Sequence, residues 1–398
     1  MASGDRACLV LGGATHSTLA AVRSIARTGV PTYAGTLDRR SVAVFASSRS
    51  CAGARRILGT DPESLAAELV AFADEAFAAA TDVLVITTSE RLMDHLDGAR
   101  AILDPRFTVA IPSPELCGAL LDKARSLALA EEAGLQVPRW TAVASPADID
   151  QMPSWRYPVC VRPTAWSTTG STSFKIEVCA DEAALRACLD AAVGGGGAFI
   201  VQEYVGDADG LDVGMIWVAP DGGERRTWTG RKRRSSAASG GVLAWGETVA
   251  LPDVDAGIRA FAEATGFTGI GGIEFLRVGR DLWFIEFNPR LEAFHRLGAI
   301  SGFDAPALAA RAWAGQPLPP DAPLPSSAAM WVGGAWVDRL ARDPLGLVHW
   351  VADGVRFAAH RRRTWSVWEL GDPRPALVLI RIRIRRRLEK VLAARRRR

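Results

Sequence analysis

Glu274, Glu286 and Asn288 are the residues of this chain whose types and spacing point most directly to chemistry. Glu286 and Asn288 are two apart in the apolar, strand-like run Trp283-Phe284-Ile285-Glu286-Phe287-Asn288-Pro289-Arg290, so their side chains leave one face of a sheet. Upstream, Gly271-Gly272-Ile273-Glu274-Phe275-Leu276 reads as a second strand, separated from the first by Val278-Gly279-Arg280-Asp281. A three-residue loop from Gly279 to Asp281 would pair Val278 with Leu282 and set Glu274 opposite Glu286. Facing positions on one sheet face have Cβ atoms roughly 5 Å apart, where like charges are destabilising unless neutralised. A divalent cation would neutralise them. Two carboxylates and an amide oxygen form part of the hard-oxygen shell that Mg²⁺ completes with water and phosphate. The plain alternative is a solvated hairpin face carrying two acids.

Further elements must position such a site. Cys8-Leu9-Val10-Leu11 reads as a buried parallel strand, followed by Gly12-Gly13-Ala14-Thr15-His16 and a helix from about Ser17 to Thr28. A strand at Val30 to Tyr33, a helix at Ala66 to Ala79 and a strand at Val83 to Thr87 continue a βαβ rhythm that ends near Pro112-Ser113-Pro114. Gly12-Gly13 lacks the G-x-G-x-x-G spacing of a dinucleotide site. A helix from Glu115 to Gly134 is expected next, with Gly134 as its C-cap. Tyr157 to Pro163 and Ala198 to Val205 read as strands. Between them, seven of the ten residues from Thr164 to Ser173 are Ser or Thr, with Gly170 among them. This hydroxyl-rich tip, including Ser171 and Thr172, could wrap phosphate oxygens.

Bulk composition narrows the classes. A chain of 398 residues suggests two or three packed units, and 48% hydrophobic with 23% charged residues describes a globular protein. No stretch reaches the roughly 20 apolar residues of a membrane span, and no signal peptide is visible, so a cytoplasmic location is expected. The six cysteines show no paired short spacing, which argues against a zinc site or disulfide framework and for reduced thiols. The net charge of +3 hides an asymmetry. Ile380 to Arg398 holds ten Arg or Lys and one Glu, a local +9, so residues 1 to 379 carry +3 less +9, or −6.

Glu274 with Glu286-x-Asn288-Pro289-Arg290 resembles the metal-binding strands of the ATP-grasp superfamily, and further matches run in order from about Leu120 to Gln316. The resemblance implies an α/β N-terminal pre-ATP-grasp (Rossmann-like) domain, residues 1–114, followed by an α+β two-lobed ATP-grasp fold: a central lobe with the phosphate loop at 115–200 and a C-terminal lobe with the metal site at 201–321. A Trp-rich extension with a basic end follows at 322–398. ATP and one or two Mg²⁺ ions, which Mn²⁺ could replace, are the implied cofactors. Lys123 matches the lysine opening the central lobe. Arg162 stands where most members have the lysine of a Lys-Pro pair, and its fork holds phosphate with a different reach from an ammonium. Lys175 could compensate from the far side of the loop. Gln202, Glu203, Tyr204 and Val205 match the adenine hinge, with Asp209 or Asp212 on the ribose. Glu274, Glu286 and Asn288 match the metal ligands, and Arg290 matches the arginine that meets the transferred phosphoryl group. In this family the turn ending at His16 faces the acceptor substrate. Glu292 and His295 are expected to supply hydrogen bonds there rather than act as acid and base.

The finer resemblance is to carboxylate-amine ligases of the D-aspartate ligase kind, carried by the basic strand Gly230-Arg231-Lys232-Arg233-Arg234 and by Gly302-Phe303-Asp304 beyond the metal strand. Where that branch has Gln-Tyr-Pro, this chain has Ser235-Ser236-Ala237. Such enzymes phosphorylate a carboxylate with ATP and let an amine attack the acyl phosphate. Arg231, Lys232 and Arg234 would hold the carboxylate, since Arg forks match carboxylates; a solvated strand edge guarded by Arg is the alternative. Small-molecule carboxylate and amine substrates are thus the expected partners. A kinase or carboxylase on the same fold, and a nucleic-acid binder using the Arg-rich tail, are the competing readings; the acidic body is poor support for the last. Oligomeric state is left open, a homodimer included. Leu377, Ile380, Ile384, Leu388, Val391 and Leu392 recur at spacings of three and four, predicting a basic amphipathic helix suited to an anionic membrane surface. The Ile380-Arg381-Ile382-Arg383-Ile384 alternation also permits a strand, and Arg395 to Arg398 a nucleic-acid arm.

Overall fold

The computed structural model describes residues 5–13, 15–165, 174–206, 210–236, 242–321, 327–340 and 345–396. The chain forms two compact units, one of residues 1–111, 232–250 and 290–398, the other of residues 112–231 and 251–289.

The first unit opens with a parallel sheet of β1 (Arg6–Gly12), β2 (Thr32–Thr36), β3 (Gly53–Arg56), β4 (Asp82–Thr87) and β5 (Phe107–Val109), in the order β3-β2-β1-β4-β5. Leu9, Val10 and Leu11 are wholly buried, as expected for a central strand covered on both faces. Helix Thr15–Ala26 starts two residues earlier than the apolar spacing suggested, so His16 lies in its first turn. The strand order reverses between β1 and β4, and open α/β sheets bind ligands in the crevice beyond such a switch point. Gly12 ends β1 there; a Cβ on it would overlap the side chains of Thr18 and Thr88, whose hydroxyls lie 3.0 Å apart.

The second unit contains β6 (Trp140–Val143), β7 (Val159–Pro163), β8 (Glu177–Cys179) and β9 (Phe199–Glu203), a sheet ordered β6-β9-β7-β8. Val143, Val159, Val161, Phe199 and Val201 bury its inner face against Leu185 and Leu189 of helix Glu182–Val193. The helix expected from Glu115 to Gly134 is two, Pro114–Leu121 and Lys123–Glu132. They are split by Asp122, which is extended and caps the second by accepting from the Arg125 amide at 2.9 Å. Asp at an N-cap satisfies an amide that has no partner inside the helix. The break makes Lys123 the first helical residue, with its amide donating to the Thr164 carbonyl at 2.8 Å beyond the end of β7.

Onward the strands are β10 (Gly210–Val218), β11 (Arg225–Ser235), β12 (Leu243–Thr248), β13 (Gly269–Val278), β14 (Asp281–Asn288), β15 (Ala328–Trp331) and β16 (Arg362–Trp365). In the second unit β14, β13 and β10 are antiparallel neighbours, and β11 lies beside β10. In the first unit β12 pairs antiparallel with β15, and β15 runs parallel to β16. The basic end of the chain is a helix, Arg374–Arg396, rather than a strand. No disulfide joins any of the six cysteines, and among the described residues no helix is long and apolar enough to cross a membrane.

Candidate functional site

Glu274 faces Glu286 across β13 and β14, but the turn is shorter than the three-residue loop expected. Val278 pairs with Asp281, so the loop is Gly279-Arg280, with Gly279 at φ +58°. A two-residue hairpin loop needs positive φ, which glycine adopts without strain. This shift alone would have moved Glu274 away from Glu286. A β-bulge restores the pairing: Phe275 pairs with Phe284 and Glu274 with Glu286, leaving Ile285 as the extra residue. Bulges re-aim side chains and free backbone groups from the ladder. Here the Ile285 carbonyl accepts from Arg162 Nη1 at 3.4 Å.

Arg162, in β7, is 8% exposed and turns toward this hairpin. Its Nη2 donates to Glu286 Oε2 at 3.1 Å, and its Nη1 reaches Gln202 Oε1 at 3.5 Å. Asn288 Nδ2 donates to the other Glu286 oxygen at 3.0 Å, as residues two apart on one face should. Glu274 and Asn288 are each 8% exposed. Among the described residues no group of three His, Cys, Asp or Glu could hold a metal; this set is two carboxylates and an amide. Those donors fit a hard divalent cation, and the guanidinium on Glu286 supplies positive charge where the cation would. Gln202 is buried, and its Nε2 has no hydrogen-bond partner, a polar group of the kind a ligand would satisfy. It lies in β9 just before Glu203, whose amide donates to the Arg139 carbonyl at 2.8 Å. Tyr204 follows with its amide on the Pro158 carbonyl at 3.3 Å, and Val205 is half-buried. Lys175 is exposed on the approach to β8. Gly170, Ser171, Thr172 and Asp209 lie outside the described residues.

Asp212 is wholly buried in β10 between two arginines. Arg231 reaches its Oδ1 at 2.5 Å and its Oδ2 at 3.0 Å, and Arg277 Nε reaches Oδ2 at 2.6 Å. Arg277 also pairs with Asp253 at 2.8 Å, and this carboxylate company raises its pKa. Neither Asp212 nor Arg231 therefore presents a free group for the roles that sequence suggested, and releasing either would break a buried pair.

The remaining candidates lie in the first unit. Arg290 Nη1 donates to Glu292 Oε1 at 2.6 Å, and its Nη2 lies 3.8 Å from Glu90 Oε2. The Leu291 amide donates to the Thr87 carbonyl at 3.4 Å, which places this segment at the switch point beyond β4. Glu90 was not foreseen, although Ser89-Glu90 directly after an apolar strand carries a helix-start signal and Ser89 is the N-cap. His295 is fully buried and its Nε2 lies 2.9 Å from the Ser17 carbonyl. A carbonyl only accepts, so Nε2 carries the proton and the buried Nδ1, which has no partner, is a lone-pair acceptor. Burial lowers its pKa to about 4. His16 Nε2 is likewise buried without a partner, and burial, then the proximity of His295, lowers its pKa to about 4. Both imidazoles are neutral near pH 7. Lys232 lies over the Phe294 ring, 5.5 Å from its centroid. Arg234 pairs with the buried Asp353 at 2.9 Å, a partner with no local sequence signal.

No family model and no curated protein matches the chain by sequence. Solved structures do match by fold. N5-carboxyaminoimidazole ribonucleotide synthetase from Thermus thermophilus is 18% identical, with 81% of this chain and 82% of that one covered and a TM-score of 0.60. The biotin carboxylase domain dimer of Hydrogenobacter thermophilus 2-oxoglutarate carboxylase, solved with Mg-ADP, ADP and bicarbonate, is 17% identical over 81% and 73%, with a TM-score of 0.61. N5-carboxyaminoimidazole synthetase from Staphylococcus aureus, complexed with ADP, is 12% identical over 80% of each chain, with a TM-score of 0.59. The chain thus has the ATP-grasp fold expected from its motifs, and identities this low speak for fold alone.

Proposed function

We propose that the chain is an ATP- and magnesium-dependent ligase that activates a carboxylate as an acyl phosphate for attack by an amine. The observation that carries this reading is the Glu274–Glu286 pair with Asn288 on its face and Arg162 drawn onto Glu286. Glu274, Glu286 and Asn288 would hold Mg²⁺, which when bound screens the phosphate charge. Gln202, Glu203, Tyr204 and Val205 would receive the adenine. Between the two ribose candidates, Asp209 suits the role better, since both Asp212 oxygens are engaged by arginines. Arg162, Lys123 and Lys175 would bind the phosphates, with Arg290 at the transferred group. A substrate carboxylate oxygen attacks the γ-phosphorus and ADP leaves; the amine nitrogen then attacks the acyl carbon, sheds a proton and expels phosphate. The chain's share is to hold anions in line and stabilise charge on the moving group. The neutral His16 and His295 supply lone pairs near the switch point, which suits recognition of an N–H group on the acceptor.

A second reading has its own support. Bicarbonate is also an acid that ATP can phosphorylate, and one structure of this fold was solved with Mg-ADP and bicarbonate. A carboxylase would use the same phosphate-handling residues. ADP release should be screened with pairs of acids and amines, and separately with bicarbonate plus amines. A ligase requires an organic acid together with an amine; turnover with bicarbonate in place of the acid selects the carboxylase, and a stable phosphorylated acid formed without amine selects a kinase. In any of these, Glu286→Gln should reduce ADP formation at least a hundredfold, and retained turnover would refute the metal assignment.

A further inference from the structure

Among the described residues, the helix Arg374–Arg396 has one apolar face packed within the protein and a second that is exposed. Pro375 and Ala376 are buried, and Val378, Leu379 and Ile382 are half-buried. Leu377, Ile380, Ile384 and Leu388, part of the stripe that the sequence marks out, are 56%, 52%, 55% and 58% exposed. At about 100° per residue these four fall in an arc of about 80°. Arg381 and Arg385 follow one edge of that arc, and Arg386 is also exposed. The preceding surface has the same character. Helix Gly346–Ala359 leaves Leu347, Val348, Val351 and Val355 exposed at helical spacing, and Trp365, Trp368 and Leu370 are exposed between the two helices.

We propose that the exposed stripe of helix Arg374–Arg396 docks on an anionic lipid bilayer surface. An aliphatic stripe edged by arginines sinks to the acyl boundary while its basic residues meet anionic headgroups. Exposed tryptophans suit the same interfacial depth. Charge argues against a second copy as the occupant: two such helices packed antiparallel, stripe to stripe, would bring Arg381 and Arg385 on the shared edge against the same residues of the copy. Glu389 is the one acid in the helix sequence, and Arg385 already holds it at 2.8 Å. A nucleic acid would use the arginines but has no use for four exposed aliphatic side chains.

The test is sedimentation of the full chain with phosphatidylcholine vesicles and with vesicles containing one quarter phosphatidylglycerol. The expected result is retention on the anionic vesicles alone, weakened by salt. Neutralising Arg381 and Arg385 together should weaken it by about 25-fold, at about fivefold per basic residue near a charged surface. Ile380→Ser with Ile384→Ser should abolish retention without moving the melting temperature, because both side chains are solvent-facing. The proposal is overturned if the wild-type chain stays in solution, if the double serine variant is retained equally, or if light scattering finds a dimer that the same variant dissociates. Tight binding to a short RNA duplex, unaffected by the serine substitutions and paired with no vesicle retention, would likewise overturn it in favour of a nucleic-acid arm.

Discussion

Removing the Arg162 guanidinium should move metal and nucleotide affinity in opposite directions. Its Nη2 lies 3.1 Å from Glu286 Oε2, with Arg162 side-chain exposure of 10% and Glu286 of 30%. Two unit charges at this distance attract by about 5 kcal/mol at an effective dielectric constant of 20, and desolvation cancels most of that. A net of about 1.5 kcal/mol, near the low end for a charge-assisted hydrogen bond, is what a cation must displace to take Glu286. In Arg162→Ala the guanidinium no longer has to be displaced, so Mn²⁺ added without nucleotide should bind about tenfold more tightly. ATP at saturating Mg²⁺ should bind about ten- to a hundredfold more weakly, because a guanidinium–phosphate contact of about 1.5–3 kcal/mol is lost. Arg162→Lys should fall between, since an ammonium keeps the charge but lacks the fork that reaches Glu286 and the Ile285 carbonyl together. Titration calorimetry with Mn²⁺ alone, then with ATP at fixed Mg²⁺, measures both. Unchanged or weaker Mn²⁺ binding in the alanine variant would refute the competition at Glu286, and unchanged ATP affinity would remove Arg162 from the phosphates.

Asp212→Ala should destabilise the second unit by about 3–5 kcal/mol, because it strands two guanidinium groups on a fully buried acid's site; a denaturant midpoint shift worth less than about 1 kcal/mol would show the pairs to be idle. His16 and His295 give a pH prediction whose sign follows from their depressed values near 4 against an ordinary 6.5. Each favours the neutral form when folded, so its stabilising share is intact above about pH 6.5 and is lost as pH falls toward 4, where the folded state also takes up the proton. The combined loss could reach a few kcal/mol across that window. In His295→Gln the acid limb of melting temperature against pH should be shallower than in the wild type, and an unaltered limb would count against a neutral His295.

The parts of this chain visible in sequence are those where local pattern and tertiary demand agree. Leu9 to Leu11 and Val83 to Thr87 are apolar runs that only a covered parallel sheet can hold, so both strands lie where periodicity puts them. Asp122 shows the opposite case: the apolar and helix-favouring residues on both sides suggested one helix, and a single capping carboxylate divides it, placing Lys123 at a helix start. The fate of Arg231, Arg233 and Arg234 was not legible either. Their acids, Asp212, Glu247 and Asp353, come from other strands and a distant helix, so a run that looks like an open basic clamp is largely occupied. The hairpin at the centre of the site is the most instructive case. Its loop is one residue shorter than expected and its second strand carries one residue more, and together these leave Glu274 opposite Glu286. A slip of one position in either would turn one carboxylate to the other face. The bulge also frees the Ile285 carbonyl to receive Arg162, so the irregularity that keeps the two acids together anchors the arginine that pairs with Glu286.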